Sequence, residues 1–148
     1  MEAQVRALAD ALGMQVQMLP LHVRAPFVWL PNACVAGALS GMAYRFAAGR
    51  EEIQAPWPDV VISCGRRPAM AAMGLKTHMR NPATKFIHIQ DPHVNPRHFD
   101  LVIAMEHDRI RGDNVIKTAY ALHSITKEKL EQAAAQFEAK FARFHKPH

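Results

Sequence analysis

The sequence predicts an α/β domain, in which a Rossmann-like parallel sheet lies between helices in three layers. Three short apolar runs, each followed by polar or charged residues, carry this prediction: Val60–Cys64, residues 85–90 and Leu101–Met105. Uninterrupted apolar runs are typical of parallel strands that are buried on both faces. Because ligands of such sheets bind at the carboxyl ends of the strands, the same pattern predicts where a site should lie.

The chain opens with a predicted helix over residues 2–12, which has apolar residues at helical spacing and Gly13 as its stop. Residues 14–19 (MQVQML) alternate apolar and polar side chains, which predicts a strand. A domain of this class usually begins with a strand, so either the architecture is unusual or the first strand is absent. An absent strand would expose unpaired backbone and favour dimerisation.

Residues 25–44 carry no charged side chain, and the length of this uncharged stretch is close to the lower limit for a membrane span. Two prolines, Pro26 and Pro31, argue against a continuous span. After Pro31 the apolar residues recur at helical spacing, and Gly37 and Gly41 suit close helix packing. We expect a buried or partly exposed helix, with contact to a membrane surface as the alternative.

The remaining elements follow in order. A helix is predicted from Pro68 to the Asn81-Pro82 stop, then a loop over residues 91–100 with one helical turn, and a last strand over residues 114–118. Thr126 is the expected N-cap of a final amphipathic helix. Its apolar face, which we expect to pack back on the domain, is formed by Leu130, Ala133, Ala134, Phe137, Phe141 and Phe144.

Length and composition bound the function. With 148 residues there is room for one domain. The net charge of +5 favours anionic partners, but the basic residues form no run with interleaved aromatics, so nucleic acid is not predicted. The cysteines, Cys34 and Cys64, lie in apolar stretches and are expected to be reduced. Without a signal-type apolar run at its start, the protein is expected in the cytoplasm, with a position peripheral to a membrane as the alternative.

The first candidate site is the turn Ser63-Cys64-Gly65-Arg66-Arg67, where a strand leads into a helix. Such a turn offers backbone N–H groups and the positive helix end to an anion, and arginines match phosphate or carboxylate. The alternative is that Gly65 only permits a tight turn and that Arg66 and Arg67 are solvated. Neither a Walker loop nor a G-x-G-x-x-G fingerprint occurs, and no cofactor is predicted.

Two further groups follow the next strands. Gln90 could contact hydroxyl groups, and Asp91 could orient them or act as a base, or could simply cap the following turn. His107 beside Asp108 suggests a general base, although neighbouring loop residues rarely point at each other, so a role in binding or in ordering the loop is preferred. Together with Asn114, these residues are predicted to form the rim of the site.

The nine histidines suggest a metal site, because His88, His93, His98 and His107 lie close together in sequence. Their spacing matches no zinc pattern, and no metal is predicted. His88 falls inside a strand and is expected to be a core histidine with satisfied hydrogen bonds. Ser63 and Cys64 lack the G-x-S-x-G surroundings of a nucleophile.

Four segments occur in an order that resembles one protein family: GRRPA at residues 65–69, IQDP at 89–92, FDLVIAMEHDRIRGDNV at 99–115 and ALHSIT at 121–126. The chain resembles the mitochondrial-fission family of the elongated-mitochondria type over nearly its whole length. Bacterial members of that family were labelled predicted nucleoside-diphosphate-sugar epimerases.

The resemblance implies a GT-B fold of the glycosyltransferase type, of which this chain corresponds to the amino-terminal domain, as a fragment or a shortened copy. It implies a sugar nucleotide or phosphosugar as ligand, with Gly65, Arg66, Arg67, Gln90, Asp91, His107, Asp108 and Asn114 around it. The fission role of plant members implies the alternative of an adaptor without catalysis that docks on a protein or membrane. Epimerase activity is not expected, because the dinucleotide fingerprint is missing.

Overall fold

The computed structural model describes residues 1–19, 56–123, 125 and 127–141. The described helices are α1 (Glu2–Ala11), α2 (Arg66–Met79) and α3 (Lys127–Phe141). The strands are β1 (Val60–Cys64), β2 (Lys85–Ile89), β3 (Leu101–Met105) and β4 (Val115–Thr118). A single 3-10 turn, Pro96–His98, lies between β2 and β3, which confirms the predicted helical turn.

The four strands form one sheet in the order β1-β2-β3-β4, and every neighbouring pair is parallel. The α/β fold with a parallel Rossmann-like sheet is therefore confirmed. The register places Ser63 beside His88 and His88 beside Val102, so these residues share one face of the sheet. The opposite face includes Cys64 and Ile89.

Helix α2 covers the face that carries Phe86 and Val102. Its small and flexible side chains (Ala69, Ala72 and Met73 among them) pack with these two residues, with Phe99 and with Ala104 in the core. Phe86 and Val102 are almost completely buried, and apolar side chains of this size each stabilise a fold by about 1.5–3 kcal/mol when they leave water. Helix α1 contacts β1 on the other face, where Gln4 meets Cys64, so helices lie on both sides of the sheet.

The connection from β2 to β3 returns to the amino edge of the sheet and is fixed there by Asp100. Asp100 Oδ2 accepts hydrogen bonds from Phe86 N (2.9 Å) and from Lys76 Nζ (3.2 Å). Partial burial opposes ionisation of this carboxyl group, but the Phe86 N–H and the Lys76 ammonium outweigh it and lower the pKa of Asp100. The carboxylate thus ties the start of β2, the loop before β3 and helix α2 together.

Replacing Asp100 should therefore destabilise the fold. We expect Asp100→Ala to reduce the free energy of unfolding by about 1–3 kcal/mol, because it leaves the Phe86 N–H at the core edge without its acceptor. Asp113→Ala, at an exposed position of the loop before β4, is the matched control and should change stability little. Urea denaturation at neutral pH measures both. Equal midpoints for the two variants would contradict the role of Asp100.

One predicted element is wrong. Residues 14–19 form no strand: Met14 and Val16 are exposed, and no described strand lies beside them to complete the hydrogen-bond ladder that alternation alone cannot supply. On the face of α3 that is predicted to pack back on the domain, Leu130 is 59% and Phe137 is 54% exposed, whereas Ala133 is half-buried.

Smaller differences concern the ends of elements. Helix α2 begins at Arg66, two residues before Pro68, which still lies in the first turn as predicted. None of the described helices is both long enough and apolar enough to cross a membrane. The predictions for residues 25–44, Cys34, Thr126 and Phe144 lie outside the described residues.

Candidate functional site

The carboxyl ends of the strands form one continuous rim, because all four strands run in the same direction. Three backbone hydrogen bonds join the strand tips across the sheet: Gly65 N to Ile89 O (3.2 Å), Gln90 N to Ile103 O (2.7 Å) and Glu106 N to Thr118 O (3.0 Å). The tips that begin at Gly65, Gln90 and Glu106 therefore lie side by side, as the apolar runs predicted. We call this edge the rim.

Gly65 turns the chain from β1 into α2 at the rim. It is buried and has φ 88° and ψ 168°, a conformation that is essentially restricted to glycine. A Cβ at this position would collide with the Met1 sulfur atom and would approach Gln90 Oε1. Gly65 has no side chain to cap α2, and the first turn of a helix carries backbone N–H groups without intrahelical partners and a positive dipole end. Arg66 and Arg67 in this turn are both exposed.

A small group of polar side chains lies beside Gly65 and joins α1 to the rim. Gln4 Oε1 accepts hydrogen bonds from Gln90 Nε2 (3.1 Å) and from Cys64 Sγ (3.1 Å). Burial raises the pKa of the Cys64 thiol, against a smaller opposite effect of the terminal amine of Met1, so the thiol stays protonated and donates. Gln90 has a positive φ of 80°, which is strained for a residue with a side chain.

The carboxylate of Asp91 serves the turn that follows β2. Its Oδ1 accepts a hydrogen bond from His93 N (2.8 Å), and this Asx turn lets His93 adopt a positive φ of 55°. Asp91 is half-buried beside Gln90 at the rim. Asp91 therefore caps the turn, which is the alternative given for it above, and its contact with a ligand stays a prediction.

His107 and Asp108 also have separate structural surroundings. His107 Nε2 and Asp108 Oδ1 lie 3.8 Å apart, which is too long for a hydrogen bond, and the His107 side chain is 76% exposed. Asp108 Oδ2 accepts instead from Met105 N (2.9 Å), and Lys117 Nζ donates to the carbonyl oxygens of Asp108 (2.6 Å) and Met105 (3.0 Å). These contacts hold the turn after β3 closed.

Asn114 does not lie at the rim, and that part of the prediction is wrong. Its carbonyl oxygen accepts from Val102 N at the amino end of β3, because the loop before β4 has crossed to the opposite edge of the sheet. There Asn114 Nδ2 donates to the carbonyl oxygens of Pro96 (2.9 Å) and Phe99 (2.8 Å). Asn114 therefore fixes the loop before β3 at a distance from the other candidate residues.

The structure brings Ser63 and His88 together, a pair that is not predicted from the sequence. Ser63 Oγ and His88 Nδ1 are 2.7 Å apart beneath α2, and the His88 ring lies against Phe99 with 4.9 Å between ring centroids. Burial, opposed by the nearby Asp91 carboxylate, lowers the pKa of His88 to about 4. His88 is the predicted core histidine, but no described residue forms a hydrogen bond with its Nε2, so the expectation that its hydrogen bonds are satisfied holds for Nδ1 alone. The pairing follows from strand register, which composition and periodicity do not determine.

In the described part of the chain, no group of three histidine, cysteine or acidic side chains is arranged to hold a metal ion. Comparison with known proteins found no match among curated proteins and none among solved structures. The profile of one family, described as mitochondrial fission ELM1, matches residues 1–148. With its parallel sheet and a match over the full length of the sequence, the chain belongs to the mitochondrial fission ELM1 family.

Proposed function

We propose that the rim binds the phosphate of a phosphosugar or sugar nucleotide, as one half of a GT-B glycosyltransferase-like protein. The observation that carries this proposal is the start of α2. There a glycine without a capping side chain leads into a helix whose first turn bears Arg66 and Arg67, at the same edge as Gln90. Backbone N–H groups, the helix dipole and two guanidinium groups all favour an anion at this point.

The neighbouring amides favour a ligand that carries more than a phosphate. Gln4 and Gln90 both lie beside Gly65 and are hydrogen-bonded to each other through one oxygen and one nitrogen. Side-chain amides have further donors and acceptors that suit hydroxyl groups. The proposal is limited to binding, because Asp91 holds a turn and His107 is exposed without a bonded carboxylate, so neither is prepared as a general base.

The test is a binding measurement with three probes: UDP-glucose, glucose 1-phosphate and inorganic phosphate. We expect the two sugar ligands to bind more tightly than phosphate in calorimetric titrations. Removing either arginine with Arg66→Ala or Arg67→Ala should weaken binding by about 2 kcal/mol, roughly thirtyfold in Kd. Added salt should also weaken binding, because it screens the attraction between the arginines and the phosphate.

The matched control is Arg80→Asn, at the other end of the same helix. Arg80 ends α2 with φ 47°, and asparagine tolerates that conformation better than other residues while removing the same charge. This variant should bind the sugar ligands as the unchanged protein does. If none of the three probes binds, or if Arg80→Asn weakens binding as much as Arg67→Ala does, the proposed rim site is wrong.

A second candidate function is that of an adaptor, and the exposed apolar side chains of α3 favour it. Leu130 and Phe137 lie seven residues apart on the helix and are more than half exposed, and Ile125, just before the helix, is 56% exposed. Apolar side chains grouped in this way are typical of surfaces that contact another protein or a membrane.

Flotation with phosphatidylserine-containing vesicles separates the two candidates. An adaptor that docks on a membrane through α3 should float with the vesicles, and Leu130→Ser combined with Phe137→Ser should abolish flotation. The arginine variants Arg66→Ala and Arg67→Ala should leave it unchanged if the rim is not involved. Flotation that depends on the arginines and not on α3 would remove this candidate.

A further inference from the structure

The amide group of Gln4 has a fixed direction, because a buried thiol determines it. Cys64 is 3% exposed, and burial raises the pKa of its thiol, so the sulfur carries its proton at neutral pH. The thiol donates to Gln4 Oε1 at 3.1 Å. If the Gln4 amide were turned over, its NH2 group would meet the sulfur, which is only a weak acceptor. The amide oxygen of Gln4 therefore faces Cys64.

The direction of the Gln4 amide in turn determines that of Gln90. Gln4 Oε1 also accepts a hydrogen bond from Gln90 Nε2 (3.1 Å). Because the Gln90 amide presents its nitrogen to Gln4, its oxygen is directed elsewhere. Gln90 Oε1 lies on the side of Gly65, 3.8 Å from the position that a Cβ on Gly65 would occupy. A hydrogen-bond acceptor is thus held beside the start of α2.

The backbone of Gln90 is held in place as well. Its N–H donates to Ile103 O (2.7 Å), and its φ of 80° is unfavourable for a residue that has a side chain. Strained residues of this kind are concentrated at positions that contact ligands, where the surrounding structure maintains the strain. Gln90 is half-buried at the rim, so its amide is partly accessible.

Two different chemical preferences therefore lie side by side. The first turn of α2, with Arg66 and Arg67, favours an anion. The neighbouring oxygen of Gln90 favours a group that donates a hydrogen bond and disfavours the oxygen of a second phosphate. The Met1 side chain at Gly65 is flexible, and the residue is 71% exposed, so it can move aside for a ligand.

Given the phosphate site proposed above, on which this inference rests, we propose that Gln90 Oε1 accepts a hydrogen bond from the sugar hydroxyl next to the phosphate. Gln90 is then the residue that determines specificity, and Cys64 and Gln4 are positioning residues that hold its oxygen toward the ligand. The ligand class is a phosphosugar with a free hydroxyl on the carbon beside the one that carries the phosphate.

The test compares glucose 1-phosphate with 2-deoxy-2-fluoroglucose 1-phosphate in calorimetric titrations, because fluorine replaces the hydroxyl and cannot donate. We expect the unchanged protein to bind the hydroxyl ligand about tenfold more tightly. Gln4→Ala frees the Gln90 amide to turn and should abolish this preference. Gln4→Glu is the matched control, since a carboxylate still accepts from both Gln90 and Cys64. Its negative charge should weaken both ligands equally and leave the preference intact.

A second pair of variants acts on the thiol. Cys64→Ser retains a donor and should retain the preference, whereas Cys64→Ala should lose it. Inorganic phosphate carries no sugar hydroxyl, so its affinity should be the same in Gln4→Ala as in the unchanged protein. Equal binding of the two sugar phosphates by the unchanged protein would overturn this inference but leave the phosphate site in place. A preference that persists in both Gln4→Ala and Cys64→Ala would also overturn it, and no binding of glucose 1-phosphate would overturn the proposed function as well.

Discussion

Acidification from pH 7 to pH 4 is expected to lower the free energy of unfolding by about 3 kcal/mol through His88 alone. In the folded chain, burial lowers the pKa of His88 to about 4, so the imidazole stays neutral there. In the unfolded chain the same imidazole takes up a proton near its ordinary pKa of 6.5. The unfolded state therefore binds more protons between these two values, and stability falls as the pH falls through that window.

The measurement is a set of urea denaturation curves between pH 7 and pH 4. His88→Leu should remove most of the slope of stability against pH in this range, whatever its effect on stability at pH 7. His107→Gln is the control, because it removes a histidine with a 76% exposed side chain and should retain the slope. If His88→Leu and the unchanged protein lose stability in parallel, His88 does not cause the acid sensitivity.

Gly65→Ala is expected to destabilise the fold by about 2–3 kcal/mol, because its φ and ψ lie in a region that side chains exclude. The added methyl group would also displace Met1, a flexible side chain that can move at small further cost. The variant should in addition weaken the binding of any ligand at the rim, since the methyl group occupies the space next to the first turn of α2. Thermal unfolding and the phosphosugar titration together measure both effects.

The control is Gly13→Ala. Gly13 also has a positive φ, of 65°, but no described residue lies within 4 Å of a Cβ there, and it follows the end of α1. We expect a loss of about 1 kcal/mol, typical of a left-handed residue that gains a side chain, and no change in ligand binding. A Gly65→Ala protein as stable as Gly13→Ala would show that the turn relaxes easily into another conformation.

The sheet could be predicted from the sequence because its strands are short apolar runs. Strands β1 and β3 begin and end at the same residues as the apolar runs. Val60–Cys64 and Leu101–Met105 are strands over the predicted residues, and their parallel direction places Gly65, Gln90 and Glu106 on one edge. The residues at the carboxyl end of a strand follow the strand directly in sequence, so a sequence pattern is sufficient to locate them.

Features that depend on register or on distant neighbours could not be predicted. The alternating residues 14–19 have a strand pattern, but a strand requires a neighbour, and the sequence does not specify one. The sequence predicts Asn114 at the rim because it follows β3 along the chain. The loop between β3 and Asn114 instead places this residue at the opposite edge of the sheet, near the amino end of β3. The link from Gln4 to Gln90 joins residues 86 positions apart and has no signal in a single sequence.

The order of the strands in the sheet is the same as their order along the chain. During synthesis each of β2, β3 and β4 therefore emerges when the preceding strand, with which it pairs, has already left the ribosome. None of the described strands waits for a later one to be inserted between two others. Such a sheet can grow by successive addition from β1 and α2 onward, which keeps the loops closed at each step short. Strand β4 pairs last among the described strands, and its Val115 N already donates to Gly112 O (3.1 Å), so this edge offers fewer free groups to a further strand.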